Sequence, residues 1–124
     1  MVRKIISYKD KDENLGYHFH CPGCNSVHSV FTERVTPGQK WGFNGNEEKP
    51  TFTPSVFVRF DHLSEMAMQR NREFYKIHKR FMTIKELPYD VKKICHSFVT
   101  NGMIRFLDDS THHLKGQTVE LDDF

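Results

Sequence analysis

The chain has 124 residues, of which 37% are hydrophobic, 27% charged and 13% aromatic, and its formal charge is +2. Chains of roughly 100 to 150 residues bury about two-thirds of their unfolded surface, so we predict that residues 1–124 form a single domain. The small net charge excludes the strongly basic signature of a typical nucleic-acid-binding domain. Phenylalanine supplies 11 of the aromatic residues, which predicts a core of few, large side chains.

The sequence shows no signal for export or for membrane insertion. Its first residues lack the apolar run of a signal peptide, and no apolar stretch is long enough to cross a bilayer. We therefore predict a cytoplasmic protein without a membrane partner. Its 3 cysteines are an odd number, which argues against a disulfide framework and leaves metal binding, catalysis or burial as their roles.

The pattern of apolar residues changes along the chain. Residues 1–60 alternate in short runs bounded by Gly, Pro and Asn, which predicts β-strands. Pro54 predicts an edge or a bulge, because proline cannot donate to a β-ladder. The apolar residues of 63–81 step by three and four, which predicts a helix. Asn101-Gly102 between apolar alternations predicts a β-hairpin, and residues 117–121 a last strand.

The helical region is also the most basic part of the chain. Residues 61–94 contain eight basic and five acidic side chains. A solvated helix face is the simplest explanation, and an acidic or nucleic-acid partner is the alternative. The basic residues that would serve such a partner are Arg72, Lys76 and Arg80.

The most specific local motif is Cys21-Pro22-Gly23-Cys24, which follows a predicted strand. Two thiolates on a tight turn can converge on one tetrahedral Zn²⁺ ion. A redox role is less favoured, because a redox CxxC normally opens a helix, whereas residues 25–28 read as a turn entering a strand. Inert cysteines remain a third possibility. His28, the first histidine after Cys24, is the candidate to complete a zinc site, and His20, His96, His112 and His113 are its rivals.

Cys95 and His96 are adjacent, which divides their roles. Neighbouring residues of an extended strand point to opposite faces, so the two side chains are not expected to reach one metal. We therefore predict that Cys95 joins Cys21 and Cys24 as a zinc ligand, and that His96 faces a different surface.

Several separated segments together resemble a small family of phage and prophage proteins, a domain of unknown function that is often labelled automatically as an ammonia monooxygenase. We regard that label as unsupported, because such an enzyme is a membrane protein. The resemblance covers most of the chain outside residues 62–92, which read as a helical insertion. It rests on Cys21–Cys24 with His28, on residues 41–45, 50–55 and 95–102, and on residues 109–112 through 116–119.

The resemblance implies an α+β fold: a compact, β-rich, zinc-ribbon-like domain with a helical insertion. Related proteins occur beside ubiquitin-like conjugation genes and have been proposed as peptidases. Carried over to this chain, the candidate nucleophile is Ser55, with His96 or His112 as its base. Asp109 supplies the residue type that could orient an imidazole. Trp41 and Asn44 are candidates to line a cleft.

These observations lead to three functional hypotheses. The first is a phage-type hydrolase of peptide or other amide bonds that uses Ser55 and a histidine, with zinc mainly structural. The second makes zinc catalytic, which requires an open coordination position. The third is a phage-encoded inhibitor or adaptor that binds a host protein through the basic helix. A host or phage protein is the expected substrate or target, and nucleic acid is a less favoured partner.

Overall fold

The computed structural model describes residues 2–124, and these fold into a β-rich chain with one α-helix, as the sequence predicts. The fold is α+β. No helix among these residues is long and apolar enough to cross a membrane. The elements in chain order are β1 (Ile5–Lys9), β2 (Leu15–Cys21), β3 (Ser26–Glu33), β4 (Gly42–Phe43), β5 (Phe52–His62), α1 (Glu65–His78), β6 (Val91–Thr100), β7 (Met103–Phe106) and β8 (Thr118–Glu120).

The strands form two sheets. Strands β1, β2 and β3 make an antiparallel sheet in chain order, and the second sheet has the order β4-β5-β6-β7-β8. Thr100 pairs with Met103, so Asn101-Gly102 is the two-residue turn of the β6–β7 hairpin. Both turn residues have positive φ, 53° and 77°, which is the conformation that favours Asn and Gly at these positions.

Pro54 lies in an interior strand, yet its missing N–H does not interrupt a ladder with β4. Strand β4 has two residues and pairs only with Phe52 and Thr53. Pro54 is the next residue of β5, just beyond this pairing. Pro54 therefore lies at an edge only on the side of β4, because that short strand ends before it.

The chain divides into two compact units. One comprises the residues up to Val58 together with Ile94–Phe124, and the other is Arg59–Lys93. The core of the first unit is rich in Phe, as the composition predicts, and its largest fully buried side chains are Phe19, Phe52 and Phe106. Burying each aromatic ring removes on the order of 150–250 Å² from water.

The second unit contains helix α1, which begins after Ser64 and ends at His78. The Ser64 hydroxyl accepts a hydrogen bond from the Ala67 N–H, which satisfies one of the unpaired amides of the first turn. Lys79 has a φ of 59° and ends the helix before the predicted limit of Phe81. Phe81 instead stacks on Tyr75, with ring centroids 4.6 Å apart.

Lys4 links the two ends of the chain within the first unit. Its buried ammonium donates to the Leu121 carbonyl at 2.9 Å and to the carboxylates of Glu120 at 3.0 Å and Asp123 at 2.6 Å. Hydrogen bonds to Asp123 and Glu120 raise the pKa of Lys4 above its usual value of 10.5. The charged amine is therefore stabilised in the folded state.

We expect Lys4→Met to lower the free energy of unfolding by about 1–2 kcal/mol, because the Leu121 carbonyl loses a charged donor while the two carboxylates remain exposed to water. Since the pKa is raised, this stabilisation is fully present below pH 10.5 and is lost as the pH rises through the folded-state value. Urea unfolding at neutral pH measures the loss. Lys9→Met, which removes a surface pair with Glu13, is the control and should change stability by less than about 0.5 kcal/mol. Equal effects of the two substitutions would contradict this account of Lys4.

Candidate active site and metal centre

Strand β6 places two clusters of chemically active side chains on its two faces. Cys95 is fully buried, whereas the neighbouring His96 points to the opposite side and keeps 24% of its side-chain surface exposed. Strand alternation produces this division, as the sequence predicts. One cluster contains serine, histidine and aspartate, and the other contains three cysteines and a histidine.

Ser55, His96 and Asp109 form a continuous hydrogen-bonded chain. The Ser55 Oγ lies 2.9 Å from His96 Nε2, and His96 Nδ1 lies 3.0 Å from Asp109 Oδ2 and 3.2 Å from Oδ1. Strand β5 supplies the serine, β6 the histidine and the turn after β7 the aspartate. Three distant parts of the sequence are thereby joined through one imidazole.

The aspartate also determines the orientation of the histidine ring. An ionised carboxylate can only accept hydrogen bonds, so Nδ1 must carry the proton that faces Asp109. Nε2 is then the unprotonated nitrogen of the neutral ring, and it accepts a hydrogen bond from the Ser55 hydroxyl. The ring also contacts Phe57 edge-on, with centroids 5.3 Å apart. The arrangement holds a base against a hydroxyl group.

The two residues predicted to line a cleft have different surroundings. The Trp41 indole N–H donates to the Ser55 backbone carbonyl at 3.2 Å, so this side chain is tied to the serine. Asn44 instead organises its own loop: its amide donates to the Lys49 carbonyl at 2.9 Å, and its carbonyl oxygen accepts from the Thr51 N–H at 3.1 Å. Asn44 therefore has a local structural role.

The second cluster brings together Cys21, Cys24, Cys95 and His112. One ligand atom from each lies within 4.8 Å of the others, close enough to hold a metal ion. The sulfurs of Cys21 and Cys95 are 3.8 Å apart. Two thiolates on a tetrahedral ion with bonds of about 2.3 Å are separated by about 3.8 Å, so this pair already has the spacing that such an ion requires.

The electrostatics of the cluster also suit a cation. A hydrogen bond from Cys95, assisted by His28 and the Cys24 N–H, lowers the pKa of Cys21 to about 4. The same interaction raises the pKa of Cys95, because its thiol is the donor. Burial lowers the pKa of His112, which favours the neutral imidazole that metals bind. The Nε2 atom of His112 is buried and has no hydrogen-bond partner among the described residues, so a metal ion would satisfy it.

Gly23 explains how His112 reaches the cysteines. A Cβ atom at position 23 would lie only 2.3–2.6 Å from three atoms of the His112 ring. The absence of a side chain therefore lets the imidazole lie against the turn between Cys21 and Cys24. The sequence offers His112 both as a base for Ser55 and as a rival to His28 for the metal, and the structure places its ring with the cysteines.

His28, the predicted fourth ligand, is not in this set of four. The β2–β3 register pairs His28 with Phe19, and the two rings meet edge to face with centroids 5.7 Å apart. From this buried position His28 helps to lower the pKa of Cys21. Its place is therefore beside a ligand, and it supports the lowered pKa of that thiol.

The three basic residues predicted to serve a partner each lie near a carboxylate of the second unit. The distances from side-chain nitrogen to carboxylate oxygen are 3.0 Å for Arg72 and Glu65 and 3.7 Å for Lys76 and Glu73. The corresponding distance for Arg80 and Glu86 is 2.9 Å. These pairs are typical of a solvated helical surface. Arg72, Lys76 and Arg80 therefore do not form a patch of unpaired positive charges.

Comparison with known proteins gives one family. A family model described as "Bacterial ubiquitination-like system serine protease (BubE)" matches residues 2–107 of the chain. The chain belongs to this family. This agrees with the resemblance to proteins found beside ubiquitin-like conjugation genes and proposed as peptidases. Searches of curated proteins and of solved structures found no match.

The family match includes Ser55, His96 and all three cysteines but ends at Leu107. Asp109 and His112, which complete the two clusters, lie beyond it. Their placement therefore comes from the structure. The turn after β7 carries both: Asp109 reaches His96, and His112 reaches the cysteines.

Proposed function

We propose that this protein is a serine hydrolase that cleaves peptide or related amide bonds. The observation that carries the proposal is the chain of hydrogen bonds from Asp109 through His96 to the Ser55 hydroxyl, with 2.9 Å between Oγ and Nε2. A serine hydroxyl becomes an effective nucleophile when a histidine takes its proton and a third group orients that histidine. Membership of a family described as serine proteases supports the same reaction class.

The residues can perform the reaction in two stages. Ser55 Oγ attacks the carbonyl carbon as its proton passes to His96 Nε2, and His96 then gives that proton to the leaving amine as the amide bond breaks. A water molecule next attacks the acyl-serine ester and transfers a proton to His96. The acid product leaves, and the proton returns to Ser55. Asp109 stabilises the charged imidazole in both stages.

Trp41 positions the nucleophile in this scheme. Its hydrogen bond to the Ser55 carbonyl fixes the backbone that carries the reacting hydroxyl. Accurate positioning of reacting groups lowers the barrier, because displacements of about 1 Å can cost about a hundredfold in rate. We therefore assign Trp41 a positioning role, outside the proton-transfer chain.

We further propose that the metal is zinc and that its role is structural. Three thiolates and one imidazole are a typical zinc ligand set. Bound zinc would supply folding free energy by holding the Cys21–Cys24 turn, β6 and the loop containing His112 together. Four protein ligands leave no position for a water molecule, which favours the serine mechanism over a zinc-activated one.

The expected substrate is a host or phage protein, and the expected location is the cytoplasm. The family description points to a ubiquitin-like conjugation system as the source of that substrate. Encoding by a phage or prophage remains part of this proposal.

An activated ester tests the reaction class without knowledge of the substrate. With p-nitrophenyl acetate we expect a burst of p-nitrophenol and a transient chain that carries one acetyl group, since the serine forms a covalent intermediate. Rapid quenching followed by intact-mass measurement detects it. Ser55→Ala is the control and should give no acetylated chain. Steady hydrolysis by the wild-type protein without an acetylated species would contradict a serine nucleophile.

A further inference from the structure

A shallow groove lies on the face of the second sheet that carries Ser55 and His96. It has a volume of about 410 Å³ and is lined by Phe98, Thr100, Met103, Arg105 and Thr118. Phe98 and Thr100 follow His96 on β6 at intervals of two, so they lie on the same face as the imidazole. Two residues of a strand span about 7 Å, which is the separation along β6 between His96 and Phe98. Because His96 bonds the Ser55 hydroxyl, the groove begins about one or two substrate residues away from that hydroxyl.

The walls of the groove combine apolar surface with one cation. Phe98 and Met103 each keep 39% of their surface exposed, on strands whose alternate residues are buried. Arg105 pairs in register with Phe98, and its guanidinium lies 5.9 Å from the centroid of that ring. Exposed apolar side chains beside a polar rim are typical of binding surfaces.

Arg105 has no carboxylate partner within ion-pair distance among residues 2–124. On the neighbouring strand β8, Glu120 pairs in register with Met103. Its carboxylate, however, bonds the Lys4 ammonium at 3.0 Å. Arg105 therefore offers a planar set of donors that the described residues leave unmatched. A guanidinium in this position suits a carboxylate from another molecule.

We propose that this groove is the substrate-binding site and that it selects a peptide segment with an apolar side chain next to an acidic residue. The apolar side chain contacts Phe98 and Met103, and the acidic side chain binds Arg105. This proposal rests on the proposed function, because it concerns the substrate of Ser55. It makes Arg105 and Phe98 specificity-determining residues that take no part in proton transfer.

Cleavage of two peptide pools tests the proposal. Both are quenched-fluorescence peptides with randomised apolar centres, and they differ only in having Glu or Lys at the flanking positions. We expect kcat/KM for the Glu pool to exceed that for the Lys pool by about tenfold, since attraction in one pool is replaced by repulsion in the other. Arg105→Glu should reverse the preference. Lys11→Glu makes the same change of charge in the exposed β1–β2 turn and should leave the preference unaltered.

A fluorophosphonate probe, applied to each variant, separates failure of the groove from failure of the serine mechanism. If Ser55 is labelled in wild type and in Arg105→Glu, but the pools are cleaved equally or not at all, the groove assignment is overturned and the hydrolase stands. If Ser55 is not labelled in the wild-type protein, the proposed function fails and the substrate assignment fails with it. A wild-type dimer that Arg105→Glu dissociates, with equal cleavage of both pools, would overturn the proposal in favour of a second copy on this face.

Discussion

Ser55→Ala is expected to lower kcat for ester or peptide hydrolysis by about 10⁴-fold or more, because it removes the only group in the proposed mechanism that forms the acyl intermediate. The substitution should leave the fold intact. The Ser55 hydroxyl is bonded to His96 on the partly exposed face of the sheet, and the buried neighbour that stabilises β5 is Val56. Rates measured under saturating ester, together with thermal unfolding, separate the two effects.

A second serine provides a matched control for this experiment. Ser7 is exposed on β1 and has no assigned role, so Ser7→Ala should retain wild-type kcat and unfolding temperature. If Ser55→Ala kept more than about a tenth of the wild-type rate, the serine could not be the nucleophile. A loss of rate accompanied by an equal loss of folded protein would instead assign Ser55 a structural role.

Loss of the metal should have the largest effect on stability. We expect His112→Ala to reduce bound zinc well below about one ion per chain and to lower the free energy of unfolding by about 3 kcal/mol or more, because metal binding to a site formed only on folding contributes directly to folding. For a domain of this size that corresponds to a fall in Tm of roughly 10 °C. Elemental analysis and thermal unfolding measure the two quantities. Treating the wild-type protein with a chelator should lower Tm in the same way.

The adjacent histidine distinguishes loss of the metal from loss of any imidazole. His113 is exposed beside His112 but is not in the set of four ligands. His113→Ala should therefore retain the zinc and the wild-type Tm. The same comparison with His28→Ala addresses the other candidate, which should keep the metal while altering the environment of Cys21. Full zinc content in His112→Ala, or a Tm that a chelator leaves unchanged, would contradict the assigned centre.

The sequence predicted the parts of the site that depend on strand geometry. Adjacent residues of a strand face opposite ways, and this rule alone separates the roles of Cys95 and His96. The Asn101-Gly102 turn was equally predictable, because few residues tolerate the positive φ values that it requires. These features depend on local backbone preferences, and sequence reports such preferences directly.

The position of His112 depended on a long-range contact that spacing does not report. His28 follows Cys24 by four residues, whereas His112 is far away in sequence and lies in a turn. The register of β2 and β3 directs the ring of His28 toward Phe19, and the turn after β7 brings His112 to the cysteines. The signal that could have found this ligand was Gly23, whose missing side chain leaves room for a ring.

The helical region shows a similar limit. Its net positive charge suggested a surface for a partner, but charge composition does not say which residues pair with one another. In the structure Arg72, Lys76 and Arg80 are each within 4.0 Å of a carboxylate in the same unit. Near the proposed active site, Arg105 has no ion-pair partner among residues 2–124, and sequence composition did not distinguish it from the other basic residues.

The central claim is that Ser55 is a nucleophile activated by His96, and the position of a fluorophosphonate adduct tests it most directly. The native protein is treated with the probe, digested, and the modified residue is located by tandem mass spectrometry. We predict a single adduct on Ser55 that is absent after heat denaturation and strongly reduced in His96→Ala, because a serine without its base reacts slowly. No adduct, an adduct on another serine, or equal labelling of native and denatured protein would contradict the claim.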